Sequence, residues 1–156
     1  MKKKFDEINL DIHTLGYYLD RALCGLIKSL NRELKEYNLG LQHSDFTILK
    51  VLSQTNGLCQ TELAKVIGKE KSGIGRSLSS LEKEGYIYRC AINGCKNEVC
   101  LTEKGEKIIP LLNEIANKVT EKAFTGLPDK KRKEMMKILT LIYDNTLRFS
   151  GKVDSQ

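Results

Sequence analysis

The chain has 156 residues, with 26 Lys or Arg against 20 Asp or Glu, five Cys, two Pro and no Trp. A hydrophobic share of 40% and a charged share of 29% are globular values that exclude wholesale disorder. No apolar run approaches the ~18 residues of a membrane span. The basic start, Lys2, Lys3 and Lys4, is not followed by the apolar run of a secretory signal. A cytoplasmic protein with reduced thiols is therefore expected, and the odd cysteine count disfavours a full disulfide framework. A net charge of +6 permits nucleic acid as a partner without requiring it. Residues 59–104 hold eight Lys or Arg against six acids, so most of the excess charge lies elsewhere.

Taken in chain order, the first predicted element is a long helix. Ile8, Ile12, Leu15, Leu19, Ala22, Leu23, Leu26, Leu30 and Leu34 recur at spacings of three and four and form one apolar stripe. The stripe spans about 26 residues, or roughly 40 Å, too long for a small core. Such a helix runs past the core or packs against a second chain. Gly40 is the expected left-handed cap. Three short helices follow. Phe46, Ile48, Leu49 and Leu52 mark the first, closed by Asn56-Gly57. Leu63, Ala64, Val66 and Ile67 mark the second, closed by Gly68. Ile74, Leu78 and Leu81 mark the third, closed by Gly85.

The period then changes. Tyr86 to Ile92 and Glu98 to Leu101 are rich in strand formers, and Asn93-Gly94 between them predicts a β-hairpin. Thr102 is the expected N-cap of a further helix with Ile108, Leu111, Leu112, Ile115, Val119 and Phe124 on its apolar face. Pro110 inside it should bend or restart it. After Gly126-Leu127-Pro128 a last helix is expected, with Met135, Ile138, Leu139, Ile142 and Leu147 inward.

Short helices, a glycine-closed turn, a further helix and a hairpin make a winged helix-turn-helix, whose third helix suits the DNA major groove. The first turns of the helix at about 70–84 carry Lys69, Lys71, Ser72, Arg76 and Ser77, donors suited to phosphates or bases. Spacing alone leaves two readings open, a DNA-reading surface or an ordinary solvated face. No phosphate-binding glycine loop, paired carboxylates or His-rich cluster is present, so enzymatic activity, a metal site and a cofactor are not expected.

The residues carry a resemblance. Glu62-Leu63-Ala64, Leu81-Glu82-Lys83-Glu84-Gly85, Ile87, Arg89 and Leu101-Thr102-Glu103-Lys104-Gly105, in this order and spacing, resemble the MarR family of bacterial transcriptional regulators over about residues 8–150. The resemblance implies a mainly α fold with a small β-hairpin wing, a winged helix-turn-helix flanked by long dimerisation helices. It implies a dimerisation helix in 1–40, a DNA-binding lobe in 41–102, dimerisation helices in 103–150 and a tail in 151–156, all in one structural domain. The implied partners are a second copy of the chain, a pseudo-palindromic DNA duplex and a small aromatic or phenolic effector that releases a repressor from it. The expected DNA-binding set is Gln60, Lys69, Lys71, Ser72, Gly73, Gly75, Arg76, Ser77, Arg89 and Lys96. His13, Tyr17, Tyr18 and His43 are candidate effector contacts, and Ile8, Ile12, Leu15, Ile142, Leu147 and Phe149 candidate dimer contacts.

Two places depart from the family pattern. Gly73 and Gly75 stand where Thr is common, which removes two hydroxyls and loosens the helix by ~1 kcal/mol each relative to Ala. Asn93-Gly94-Cys95 replaces the usual Asp-x-Arg of the wing tip, leaving Lys96 as the nearby cation. These departures are the support for an alternative, a winged-helix module that binds protein. A second alternative makes thiols the sensor. Cys90, Cys95 and Cys100 are evenly spaced around the wing. With the hairpin centred on Cys95, Cys90 and Cys100 fall opposite each other. They read as small strand residues, as a redox pair, or as part of a zinc site, although no standard zinc spacing is matched. Cys24, beside the stripe of the first helix, is expected to be packed. A hydroperoxide-sensing branch of the family uses a first-helix Cys near Tyr residues, a comparison that Tyr17 and Tyr18 invite.

Overall fold

The computed structural model describes residues 14–92 and 96–150, with the side chains of 14–90 and 97–147. Ile8, Ile12, His13 and Cys95 lie outside the described residues, as do the side chains of Lys96 and Phe149.

Thr14 caps α1, Leu15–Glu36, by accepting the Tyr17 N–H at 3.3 Å. The helix closes on paired bonds, Asn38 N–H to Lys35 C=O at 3.0 Å and Leu39 N–H to Leu34 C=O at 3.3 Å. This is the Schellman arrangement, and it puts the left-handed residue at Asn38, φ 53°, rather than at Gly40 as expected. Asn tolerates that region better than other side chains, and Gly40, φ 66°, turns the loop beyond it. The helix α2, His43–Gln54, opens with the Gln42 N–H bonded to the Asp45 carboxylate at 2.9 Å. The Asn31 side chain of α1 accepts the His43 N–H at 2.7 Å and so fixes where α2 begins.

A two-residue strand, β1, Leu58–Cys59, leads straight into α3, Gln60–Ile67. Two residues are too few for any periodicity, so β1 has no signature of its own in the sequence. The Glu62 carboxylate accepts the Cys59 N–H at 2.8 Å, and left-handed Gly68 ends α3. Next come α4, Lys71–Lys83, and the wing strands β2, Ile87–Ile92, and β3, Lys96–Leu101. The sheet is antiparallel in the order β1-β3-β2. Ile92 pairs with Lys96, so the hairpin is centred one residue before Cys95. Cys90 therefore faces Glu98, and Cys100 faces Tyr88, instead of the two cysteines facing each other.

The core joins Leu30 and Leu34 of α1, Ile48, Leu49 and Leu52 of α2, Leu63 of α3, and Ile74, Leu78 and Leu81 of α4. Ile87 and Val99 of the wing and Leu112, Ile115 and Val119 of α5, Glu103–Ala123, complete it. One compact unit runs through Val119 and a second begins at Thr120. The end of α1 and most of α5 thus share the core of the winged helix-turn-helix. α5 continues through Pro110 without a restart.

The junction of wing and α5 is tightly built. The Thr102 hydroxyl donates to Gly85 C=O at 2.7 Å and accepts the Gly105 N–H at 3.0 Å. The Thr102 N–H bonds Tyr86 C=O at 3.0 Å, and the Lys104 ammonium lies 4.2 Å from the centre of the Tyr86 ring. The Leu-Thr-Glu-Lys-Gly run is therefore a clamp around the 84–86 turn.

An ion pair between buried Glu33 and exposed Lys118 ties α1 to α5. Glu33 is 1% exposed, and the Lys118 ammonium lies 2.5 Å from its carboxylate. The Glu33 hydrogen bond holds the Lys118 pKa above its ordinary 10.5. The pair's contribution is whole below pH 10.5 and is lost as pH rises through the higher folded value. Lys118→Met should lower the melting temperature by taking the cation away from a buried carboxylate, and adding Glu33→Gln should restore most of it. Equal melting temperatures for the single and double variants at pH 8 would defeat this account.

In the second unit, Arg132 binds the Glu121 carboxylate at 2.9 Å, Leu127 C=O at 2.9 Å and Phe124 C=O at 3.2 Å, which fixes the turn into α6, Asp129–Ser150. The expected inward face of α6 is only partly covered by the described residues. Met135, Leu139 and Ile142 are half-buried, while Ile138 and Leu147 are exposed, together with Met136, Leu141 and Tyr143. The N-terminal part of α1 behaves alike, with Leu15, Leu19, Leu23 and Leu26 exposed. Cys24 is also exposed, against expectation, like Leu19, Leu23 and Leu26 of the stripe it borders. Among the described residues no helix is long and apolar enough to cross a membrane.

Candidate nucleic-acid interface

Burial of Ile74, Leu78 and Leu81, at spacings of four and three, fixes which side of α4 faces the core. The opposite side presents Lys71, Ser72, Gly73 and Arg76 to solvent in its first two turns, with exposed Lys69 in the turn before it. These five residues, with the exposed acid Glu70 between Lys69 and Lys71, make a polar and mainly basic segment at the helix N-terminus. A groove of about 400 Å³ runs beside it between α2 and α4, lined by Gln42, Ser44, Asp45, Gly73, Arg76, Ser77 and Ser80.

Three other residues of the expected DNA-binding set hold the frame together. The Gln60 amide donates to Lys71 C=O at 2.9 Å, pinning the start of α4 to α3. The Ser77 hydroxyl bonds the Ser44 hydroxyl of α2 at 2.8 Å. Arg89 is half-buried, faces Val99 in the strand pairing, and pairs with Glu82 near the end of α4 at 3.2 Å. Half-buried Gly75 lies against Gln60; a methyl added there would meet the Gln60 amide at 3.5 Å. Gly73 has open space where a Cβ would stand.

The candidate effector residues fall into two places. Tyr17 and Tyr18 pack edge to face with ring centres 5.6 Å apart, and the Arg21 guanidinium both lies 5.5 Å from the Tyr17 ring centre and donates to its hydroxyl at 3.1 Å. His43 lies beyond the far end of α1, bonded to Asn31, roughly 20 Å along the helix from Tyr17 at 1.5 Å per residue. Burial and, second, the Lys69 charge lower the His43 pKa below 6.5. Near His43 a cavity of about 590 Å³ is lined by Asn31, Lys35, Asn38, Gly40, Leu41 and Gln42. Sequence reasoning singled out neither this cavity nor Ser44, because single polar residues around a loop carry no periodic signal.

On the wing, the Cys90 and Cys100 sulfurs are 3.7 Å apart. The hydrogen bond to Cys100, and then burial, raise the Cys90 pKa. Among the described residues no three His, Cys, Asp or Glu converge as a metal site.

The family model described as winged helix-turn-helix DNA-binding matches residues 41–88, the stretch that holds α2, α3, α4 and the start of the wing. A MarR transcriptional regulator from Methanosarcina mazei Go1 superposes with a TM-score of 0.80 and 25% identity, over 93% of this chain and 97% of that one. A structure of MarR itself matches with a TM-score of 0.80 and 26% identity, over 92% and 97%. A MarR family protein of Mycobacterium tuberculosis, solved in complex with salicylic acid, matches with a TM-score of 0.69 and 25% identity, over 85% and 98%. With α4 exposed, the wing beside it and this likeness along most of its length, the chain is a winged helix-turn-helix DNA-binding protein with the fold of the MarR transcriptional regulators it resembles.

Proposed function

We propose that the chain is a homodimeric repressor that binds a pseudo-palindromic duplex and is released from it by a small aromatic acid. The observation that carries the DNA reading is the exposed run Lys69, Lys71, Ser72, Gly73 and Arg76 at the start of α4. Donors at the N-terminus of a helix match base edges and phosphates in a major groove. Gln60, Ser77 and Arg89 act one step back, by orienting that helix and the wing. Lys96 would follow the backbone from the wing.

The exposed apolar faces of α1 and α6 support a second copy as the partner that covers them, with Leu15, Ile142 and Leu147 among its contacts. Ile8, Ile12 and Phe149 would extend that interface. For the effector, the support is the salicylic acid complex of the mycobacterial relative and the cavity whose rim carries Lys35, a cation suited to a carboxylate. Tyr17, Tyr18 and His43 remain the aromatic candidates, with His13 beside them in sequence.

Binding to a duplex taken from upstream of the gene should be measured by fluorescence anisotropy between about 50 and 200 mM salt. The affinity should fall by about 10³-fold or more across that range, as expected when several phosphates are neutralised. A slope near zero at micromolar protein would end the DNA reading. Sedimentation of a monomer under the same conditions would end the dimer, and salicylate without effect on the complex would end the aromatic-acid effector.

A further inference from the structure

We propose that Cys90 and Cys100 form a reversible dithiol–disulfide pair within the wing, oxidised by hydroperoxides, and that closing it resets the wing and its hold on DNA. The regulatory half rests on the DNA reading above. The thiol half rests on geometry alone. The two sulfurs are 3.7 Å apart on one face of the hairpin, and the Cys90 thiol also lies 3.9 Å from Glu98 C=O. Cys90 is half-buried and Cys100 is buried, so a small oxidant suits the site better than a bulky one.

The register makes the bond consequential. Cys90 pairs with Glu98 and Cys100 with Tyr88, so the cysteines are diagonal neighbours. Diagonal Cα atoms lie ~7–8 Å apart in an undistorted pair, whereas a disulfide holds them at about 4.4–6.8 Å. Closing the sulfurs from 3.7 Å to about 2.05 Å therefore draws β2 and β3 along each other. Arg89, next to Cys90, pairs with Glu82 near the end of α4, so the strain reaches the reading helix through that ion pair.

The chemistry balances with one peroxide per pair. The Cys90 sulfur, having lost its proton, attacks a peroxide oxygen. The O–O bond breaks, leaving a sulfenic acid on Cys90 and releasing water from hydrogen peroxide or an alcohol from an organic hydroperoxide. The Cys100 sulfur then attacks the Cys90 sulfur, the S–O bond breaks, and hydroxide leaves as water with the Cys100 proton. Two thiols give up two electrons and one peroxide accepts them. The hydrogen bond to Cys100, and then burial, raise the Cys90 pKa, which slows the first step relative to an unperturbed thiol.

The test uses the full chain, treated with hydrogen peroxide, blocked with iodoacetamide, digested and mass-mapped. Amide exchange of the wing strands and duplex binding are measured before and after, and again after dithiothreitol. The expected result is a linked Cys90–Cys100 peptide, altered exchange in β2 and β3, and a change in duplex Kd of about fivefold or more, all reversed by the reductant. Cys90→Ser and Cys100→Val should each abolish the three effects. No linked peptide, or a linked peptide with unchanged exchange and unchanged Kd, overturns the proposal. A Kd response that persists in Cys90→Ser also overturns it, by placing the sensitive thiol elsewhere. A chain that binds no duplex in either state counts against the DNA reading instead, and the peptide and exchange results still decide the thiol pair.

Discussion

Gly105→Ala is expected to destabilise the protein by about 3 kcal/mol, because the added methyl has nowhere to go. A Cβ on Gly105 would stand 2.2 Å from the Tyr86 carbonyl oxygen and 3.1 Å from a Leu101 methyl. The first of these is backbone, already held by the Thr102 N–H at 3.0 Å, and the turn before it is held by the Thr102 hydroxyl. Relief therefore requires α5 to move away from the wing junction. For a chain of this size that cost corresponds to a fall in melting temperature of roughly 6–12 °C. Gly73→Ala gives the opposite sign. That position is helical and has open space around it, so Ala should add ~1 kcal/mol. Thermal unfolding of the two variants beside the parent checks both. A melting temperature for Gly105→Ala within about 2 °C of the parent would mean that the junction yields freely and is no clamp.

Much of the winged helix-turn-helix was legible because its elements are short and punctuated. Each helix from α2 to α4 shows its apolar residues at helical spacing and ends in a turn containing glycine. The wing shows its strand formers on either side of Asn93-Gly94. What was illegible depends on partners that spacing does not name. β1 exists because Leu58 and Cys59 lie against Val99 and Glu98, 41 and 39 residues away, and two residues have no pattern of their own. The apolar stripes of α1 and α6 were visible, yet a stripe does not say whether it faces its own core. Leu30 and Leu34 do, and Leu15, Leu19, Ile138 and Leu147 do not. Gln60, Ser77 and Arg89 resemble DNA contacts by position, but hydrogen bonds and an ion pair to neighbouring elements engage them. The hairpin centre lies one residue earlier than expected, which moves every pairing by two residues, because the turn signal locates a hairpin without fixing which residues pair.

Arg76→Ala should weaken binding to the specific duplex by about 10- to 100-fold and lower the preference for it over random sequence, the equivalent of 1–3 kcal/mol. Three observations single out Arg76 among the cations of α4. It is exposed, it stands beside the groove between α2 and α4, and it lies one turn after Gly73, where the absence of a side chain leaves the helix backbone open to close approach. A guanidinium in that place can bind a guanine edge through two parallel hydrogen bonds. Lys71, at the first position of the helix, is a point charge better suited to phosphate. Lys71→Ala should therefore weaken specific and random duplexes alike and reduce the salt slope by about one. Gln60→Ala separates a reader from a support. Its amide holds Lys71 C=O, so its loss should lower affinity through a looser start to α4 and lower the melting temperature as well. Arg76→Ala should leave the melting temperature unchanged, because an exposed side chain on the solvent side of α4 contributes little to folding. An unchanged preference between specific and random duplex in Arg76→Ala would remove it as the base reader and move that role to the groove residues of α2.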